Sequence, residues 1–281
     1  MNKIAVIGAG TMGNGIAHVF AQKGFEVHII DTQKTALDKA IATIEKNLDR
    51  QINKGIINSE DKANTLKKII PFTSIELGIV DVDLAVEAAT ENSEIKKSIF
   101  VQMDEKAKPS CILATNTSSI PIAQLAAVTQ RPEKVIGMHF MNPVPVMKLV
   151  EIINGVDTSE DTTKSIVTLT TAIEKIPCVV KDAPGFIANR ILMPMINEAI
   201  YAFSEGISDA TTIDQIMKLG MAHPMGPLQL ADYIGLDVCK NILDIMYDGF
   251  KNEKYAPCPL LIEMVQHGKL GVKSGEGFYK Y

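Results

Sequence analysis

The sequence predicts an α/β protein in which a mostly parallel sheet domain is followed by an all-helical one. Short β-branched runs alternate with amphipathic helical stretches from Lys3 to about Val180, the pattern of repeated βαβ units. The first run leads directly into a glycine-spaced turn. After "KDAPGF" the strand pattern nearly stops, and the remainder has helical periodicity. The 281 residues, 46% hydrophobic, are enough for two packed cores. We divide them into a sheet domain over residues 1–183 and a helical domain over 184–281.

Eight segments read as strands: "KIAVIG", "FEVHIID", "KIIPFT", "VDLAVEAA", "SCILATN", "KVIGMHF", "MKLVEII" and "IPCVVKD". Residues 32–68 are longer than an ordinary crossover and charged throughout, with Leu37, Ile41, Ile44 and Leu48 at helical spacing. They predict two helices that form an inserted arm beside the sheet. Beyond the sheet domain, helices are expected in "PGFIANRILMPMINEAIYAFSEG", "DATTIDQIMKLG", "PLQLADYIGLDVCKNILDIMYDGF" and "PLLIEMVQHG". Pro184 suits the first turn of the opening helix, Gly206 the residue past its end, and Pro194 a kink within it.

Composition excludes several classes of function. A net charge of −5 and a pI near 5.6 speak against a nucleic-acid binder, whose footprint is strongly basic. Cys111, Cys178, Cys239 and Cys258 are widely spaced without a CxxC pair, as expected of buried, reduced thiols rather than a disulfide frame. The five histidines show no metal-ligand spacing, so no metal is expected. A strand begins within three residues of Met1, leaving no room for a signal or transit peptide, and no run of 18 apolar residues follows. The chain therefore reads as a soluble cytoplasmic protein without membrane contact.

In "VIGAGTMG", Gly8, Gly10 and Gly13 have GxGxxG spacing between a strand and a helix, the context that makes this motif a dinucleotide site of the Rossmann type. Gly8 permits the tight turn, Gly10 lets backbone approach a pyrophosphate, and Gly13 allows close helix packing; Thr11 and Met12 lie in the same phosphate-facing turn. Asp31 follows the last glycine by 18 residues, where a carboxylate accepts hydrogen bonds from the adenine-side ribose. It would repel a 2′-phosphate. Thr32 and Gln33 follow it without an arginine, so NAD is favoured over NADP, with Lys34 the one nearby cation.

His139 ends a strand at the edge where such sheets bind ligands, and Glu151 lies 12 residues on, in the next strand. A loop broken by Pro143 and Pro145 returns the chain, so the two strands can lie side by side. A buried glutamate is costly unless paired. Paired with the ring it would fix one tautomer and leave the other nitrogen to exchange a proton with an alcohol or ketone beside a nicotinamide. Asn116 and Ser118 lie just past another strand end, positioned for substrate or nicotinamide, although Ser118 would equally serve as a helix cap. Asn189 sits among Phe186, Leu192, Met193 and Ile196 on the apolar face of a helix, where a buried amide needs a partner in the expected cleft between domains.

At these residues the sequence resembles the L-3-hydroxyacyl-CoA dehydrogenase family essentially end to end. The resemblance rests on "VIGAGTMGNGIA", "VEAATENSEIKKSIF", "LATNTSSIPI", "GMHFMNPVPVMKLVEI", "DAPGFIANRIL" and "GKLGVKSGEGFYKY" together. It implies an NAD-binding sheet domain with a helical arm and a helical domain that forms a homodimer contact, with higher assembly open. It implies reversible reduction of a 3-oxoacyl-CoA, acetoacetyl-CoA above all, to the (S)-3-hydroxyacyl-CoA, here 3-hydroxybutyryl-CoA. His139 would be the base, Glu151 its orienting partner, and Ser118 and Asn189 aids at the substrate oxygen. The same resemblance places Glu91, Lys96, Asn142 and Lys273 toward the cofactor; from the residues alone, Glu91 and Lys96 look like a solvated helix start and Lys273 like a tail lysine. Arg50 and Lys54, in the arm, are candidates for CoA phosphates or ordinary members of a solvated helix face. The alternatives are an enzyme for free 3-hydroxy acids, for which a lysine base would be expected, and a non-catalytic crystallin-like or nucleotide-sensing protein.

Overall fold

The computed structural model describes residues 1–281, which fall into two compact units, Met1–Asp182 and Ala183–Tyr281. The first contains β1 (Lys3–Ile7), α1 (Thr11–Gln22), β2 (Glu26–Ile30), α2 (Lys34–Asn53), α3 (Ser59–Lys67), β3 (Ile69–Phe72), α4 (Ile75–Gly78) and β4 (Leu84–Glu87). It continues with α5 (Ser93–Lys106), β5 (Ile112–Thr115), α6 (Ile122–Ala126), β6 (Val135–Phe140), β7 (Leu149–Asn154), α7 (Glu160–Ala172) and β8 (Ile176–Lys181). All eight expected segments are strands of one sheet, ordered β3-β2-β1-β4-β5-β6-β7-β8. Only the β6–β7 pair is antiparallel.

Strand composition follows from position. β4 (LAVE) and β5 (ILAT) are buried at every residue, because helices cover both faces of a parallel sheet and leave little room for polar alternation. The chain runs from β1 outward to β2 and β3, then crosses back to β4. That reversal opens a crevice beyond the carboxyl ends of β1 and β4, where ligands of such sheets bind. The expected arm is the pair α2 and α3, the latter started by a reciprocal Asn58–Asp61 capping box. Leu37, Ala40, Ile44 and Leu48 are buried in the same core as Ile16 and Phe20 of α1, so the pair lies against the fold rather than apart from it.

The second unit contains α8 (Ala188–Ser204), α9 (Ala210–Gly220), α10 (Pro227–Ile234), α11 (Leu236–Phe250) and α12 (Pro259–Gln266). Its core is formed by Met193, Ile196, Leu228, Leu236, Leu243 and Leu261, among others. Buried Asp214 accepts hydrogen bonds from the Leu228 and Gln229 amides at the start of α10, and buried Asp232 holds the C-terminal segment through the Phe278 and Tyr279 amides. Pro194 lies inside α8, and Gly206, at φ +71°, follows its end as expected. Pro184 does not occupy the first turn. Gly185 and Phe186 take left-handed backbone angles (φ +77° and +50°), which delays the helix to Ala188. Cys178 departs from the expected burial because it lies on the edge strand β8 and is exposed; Cys111, Cys239 and Cys258 are buried. No helix is long and apolar enough to cross a membrane.

Candidate active site

The dinucleotide turn is built by three glycines with different duties. Gly8 has φ +103°, and a Cβ there would lie 2.6 Å from the Ala88 carbonyl oxygen. A Cβ on Gly13 would overlap the Gly8 carbonyl, so α1 can approach β1 only with glycine at that position. Gly10 faces open space and is the N-cap of α1, whose first turn carries no capping side chain and no acidic residue. Thr11 and Met12 open that turn. Unclaimed amides and the positive end of the helix dipole suit an anionic pyrophosphate.

Asp31 follows β2, and its carboxylate accepts hydrogen bonds from the Ala9 and Gln33 amides, both at 2.9 Å. Lys34 is engaged elsewhere, 2.7 Å from Asp38 on the exposed face of α2. Beside Asp31 lies a cavity of about 590 Å³ lined by both apolar and polar side chains, among them Ile75, Ile95, Ser98, Ile99 and Gln102. Isoleucine walls beside several polar groups can hold an adenine ring and its ribose, and the residues present therefore fit a dinucleotide with its ribose at Asp31. Those five lining residues were not anticipated from the sequence. They come from α4 and α5, which only the folded sheet brings beside β2.

At the end of β4 a buried charge network begins. Glu87 is fully buried, and its carboxylate accepts hydrogen bonds from Lys96 Nζ at 2.6 Å, Thr115 Oγ1 at 2.8 Å and the Ala89 amide at 2.8 Å. Lys96 is 2% exposed and also lies 3.5 Å from Glu91. One oxygen of Glu91 accepts from five donors: the Thr117, Ser118 and Ser119 hydroxyls and the Ser118 and Ser119 amides, at 2.6–3.1 Å. Burial alone would raise the Glu91 carboxyl, but the Lys96 ammonium and these donors outweigh it and hold the group below its ordinary value. The loop after β5 thus takes its shape from an ionised glutamate. Asn116 completes it by accepting from the Phe140 amide at 2.9 Å, which ties the end of β5 to the end of β6.

His139 and Glu151 are direct cross-strand partners in the β6–β7 pair. His139 Nδ1 lies 2.8 Å from Glu151 Oε2, with the two residues 8% and 3% exposed. Antiparallel register supplies this contact, since directly opposed residues bring their side chains to the same face of the sheet. With Nδ1 turned to the carboxylate, the imidazole is held in one orientation. β6 runs parallel to β5, so the pair lies toward the ligand edge, and Asn142 follows in an exposed loop.

The other sequence candidates are placed as follows. Ser118 belongs to the Glu91-bound loop, and the cap of α6 is Pro121 rather than Ser118. Asn189 is buried in the first turn of α8. Lys273 forms an ion pair with Asp237 at the start of α11. Arg50 donates to Asn47 Oδ1 at 3.2 Å, and both Arg50 and Lys54 are exposed at the end of α2.

Residues 3–183 match the family model for the 3-hydroxyacyl-CoA dehydrogenase NAD binding domain, and residues 185–281 match the model for the C-terminal domain of the same family. A probable 3-hydroxybutyryl-CoA dehydrogenase of Deinococcus radiodurans is 51% identical, the match covering 99% of this chain and 100% of that protein. A 3-hydroxybutyryl-CoA dehydrogenase of Bradyrhizobium diazoefficiens is 47% identical over 100% of this chain and 96% of its own length. Among solved structures, an (S)-3-hydroxybutyryl-CoA dehydrogenase from Ralstonia eutropha superposes with a TM-score of 0.97 at 46% identity, covering 100% of this chain and 99% of that one.

Proposed function

The chain belongs to the 3-hydroxyacyl-CoA dehydrogenase family, and we propose that it interconverts acetoacetyl-CoA and (S)-3-hydroxybutyryl-CoA. It is an NAD-dependent oxidoreductase. The observation that supports the acid/base reading is the buried His139–Glu151 pair, carried on one hairpin at the ligand edge of a dinucleotide-binding sheet. In the oxidative direction, Nε2 of His139 takes the proton of the C3 hydroxyl as the C3–H bond breaks. Glu151 holds the ring in the required tautomer and stabilises the imidazolium that forms. NAD, when bound, supplies the hydride acceptor. In the reductive direction, the imidazolium returns its proton to the C3 oxygen.

Ser118, once its hydroxyl turns from Glu91, and Asn189 are proposed to donate hydrogen bonds to that oxygen, where negative charge develops during reduction. Glu91 supports the first of these roles, because its contacts fix the loop that carries Ser118. Asn116, Asn142, Glu91, Lys96 and Lys273 are assigned toward the cofactor, and Arg50 and Lys54 toward CoA phosphates. We further propose a cytoplasmic homodimer formed through the helical unit, on which Ile191, Ile216 and Leu219 are exposed apolar residues. Adding acetoacetyl-CoA and NADH to the protein should consume NADH, seen as loss of absorbance at the reduced nicotinamide band. NADH binding without consumption would leave only a nucleotide-sensing role.

A further inference from the structure

Lys175 lies in the turn between α7 and β8, at the start of β8. Because β7 reverses direction and β8 runs parallel to it, β8 starts at the sheet edge where β6 ends, the edge of the site. Lys175 is only 8% exposed, and Nζ donates to the carbonyl oxygens of Val144 at 2.6 Å and Met147 at 2.7 Å. Both carbonyls belong to the loop that joins the His139 strand to the Glu151 strand. Burying an ammonium is costly unless it is well bonded, and loop carbonyls out of water need a partner.

The same loop meets α1 from its other side. A Cβ on Gly15 would lie 2.9 Å from Val144 Cβ, so Val144 packs directly on the dinucleotide-binding helix. His18, further along α1, is fully buried with both ring nitrogens unpaired. Burial first, and the Lys175 ammonium second, push its imidazole down to about 4, which leaves the ring neutral beside that ammonium.

We propose that Lys175 is a positioning residue that fastens the β6–β7 loop to the start of β8, and so holds Val144 against α1 and the hairpin bearing His139 and Glu151 in place beside the cofactor-binding turn. This rests on the acid/base reading of that pair. A lysine that only stabilised the fold would lower the melting temperature without loosening this loop or slowing turnover.

The test uses full-length Lys175→Met with three readouts. Amide hydrogen exchange of residues 141–148 should quicken by about tenfold while β1, β4 and β5 keep their protection. The kcat for acetoacetyl-CoA reduction should fall by roughly ten- to a hundredfold, the scale of a misplaced catalytic group. Affinity for ADP-ribose, which probes the adenosine and pyrophosphate half alone, should stay within about twofold, and Lys175→Arg should recover most of the turnover, since it keeps a charged donor. Wild-type exchange in the loop together with wild-type kcat would overturn the assignment, whatever happens to the melting temperature. If Lys175→Met fails to fold, Lys175→Gln, which keeps a neutral donor but removes the charge and shortens the reach, takes its place; wild-type loop exchange and kcat in that variant would overturn the assignment equally. A wild-type protein without turnover would remove the substrate proposal, while the exchange result would still decide the fastening.

Discussion

His139 and Glu151 were legible in the sequence because each is a titratable residue in an otherwise apolar strand, where burial forces pairing. We expect His139→Ala to bind NADH normally and to lose about 10² to 10⁴ in kcat. Glu151→Gln should lower kcat by a comparable factor, because an amide oxygen fixes the tautomer but contributes no charge to the imidazolium. Asp31 lies against the glycine turn, as its spacing suggested, and Asp31→Ala should narrow the preference for NADH over NADPH by about tenfold or more, read from the ratio of kcat/KM values. Glu91 shows where residue-level reading ends. In "ATENSE" it looks like a solvated helix start, whereas its five donors lie 26 to 28 positions away and meet it only in the folded sheet. Lys175, within "IEKIP", is hidden for the same reason: its acceptors are backbone oxygens that no sequence pattern marks.

At the scale of elements, all eight strands and both arm helices were readable from periodicity; α8 starts late because of backbone angles at Gly185 and Phe186, and the stretch read as one helix is broken into α10 and α11 at Gly235, φ +103°. Phe186 is the instructive case, since its side chain is buried and packing outweighs the ordinary aversion of a non-glycine residue to positive φ. Helix α1 illustrates what periodicity cannot separate. His18 occupies a core position, buried like Ile16 and Phe20 on either side, yet it titrates. The unfolded chain takes up a proton on this ring near pH 6.5, its ordinary value, and the folded chain only near 4. Stability is therefore complete above about pH 6.5 and is lost as pH falls toward 4, by up to ~3 kcal/mol. His18→Leu should remove that term. Urea midpoints measured at pH 7 and pH 4.5 should fall less for the variant than for the wild type; an equal fall would place the acid sensitivity elsewhere.

At the scale of the molecule, the division into a sheet unit and a helical unit follows from where strand-forming composition ends. Assembly was not readable in the same way, because exposed residues such as Ile191, Ile216 and Leu219 look identical in sequence to core positions of an amphipathic helix. Sedimentation at micromolar concentration should give twice the 30.6 kDa chain mass, and a value equal to one chain would overturn the dimer. The antiparallel β6–β7 ladder has a consequence for how the molecule acquires activity. Sliding β7 by one residue would set Val150 or Ile152 opposite His139 and turn the Glu151 carboxylate to the other side of the sheet, among hydrocarbon. A misthreaded chain would thus bury an unpaired carboxylate, so the stability of the sheet itself selects the register in which Glu151 meets His139.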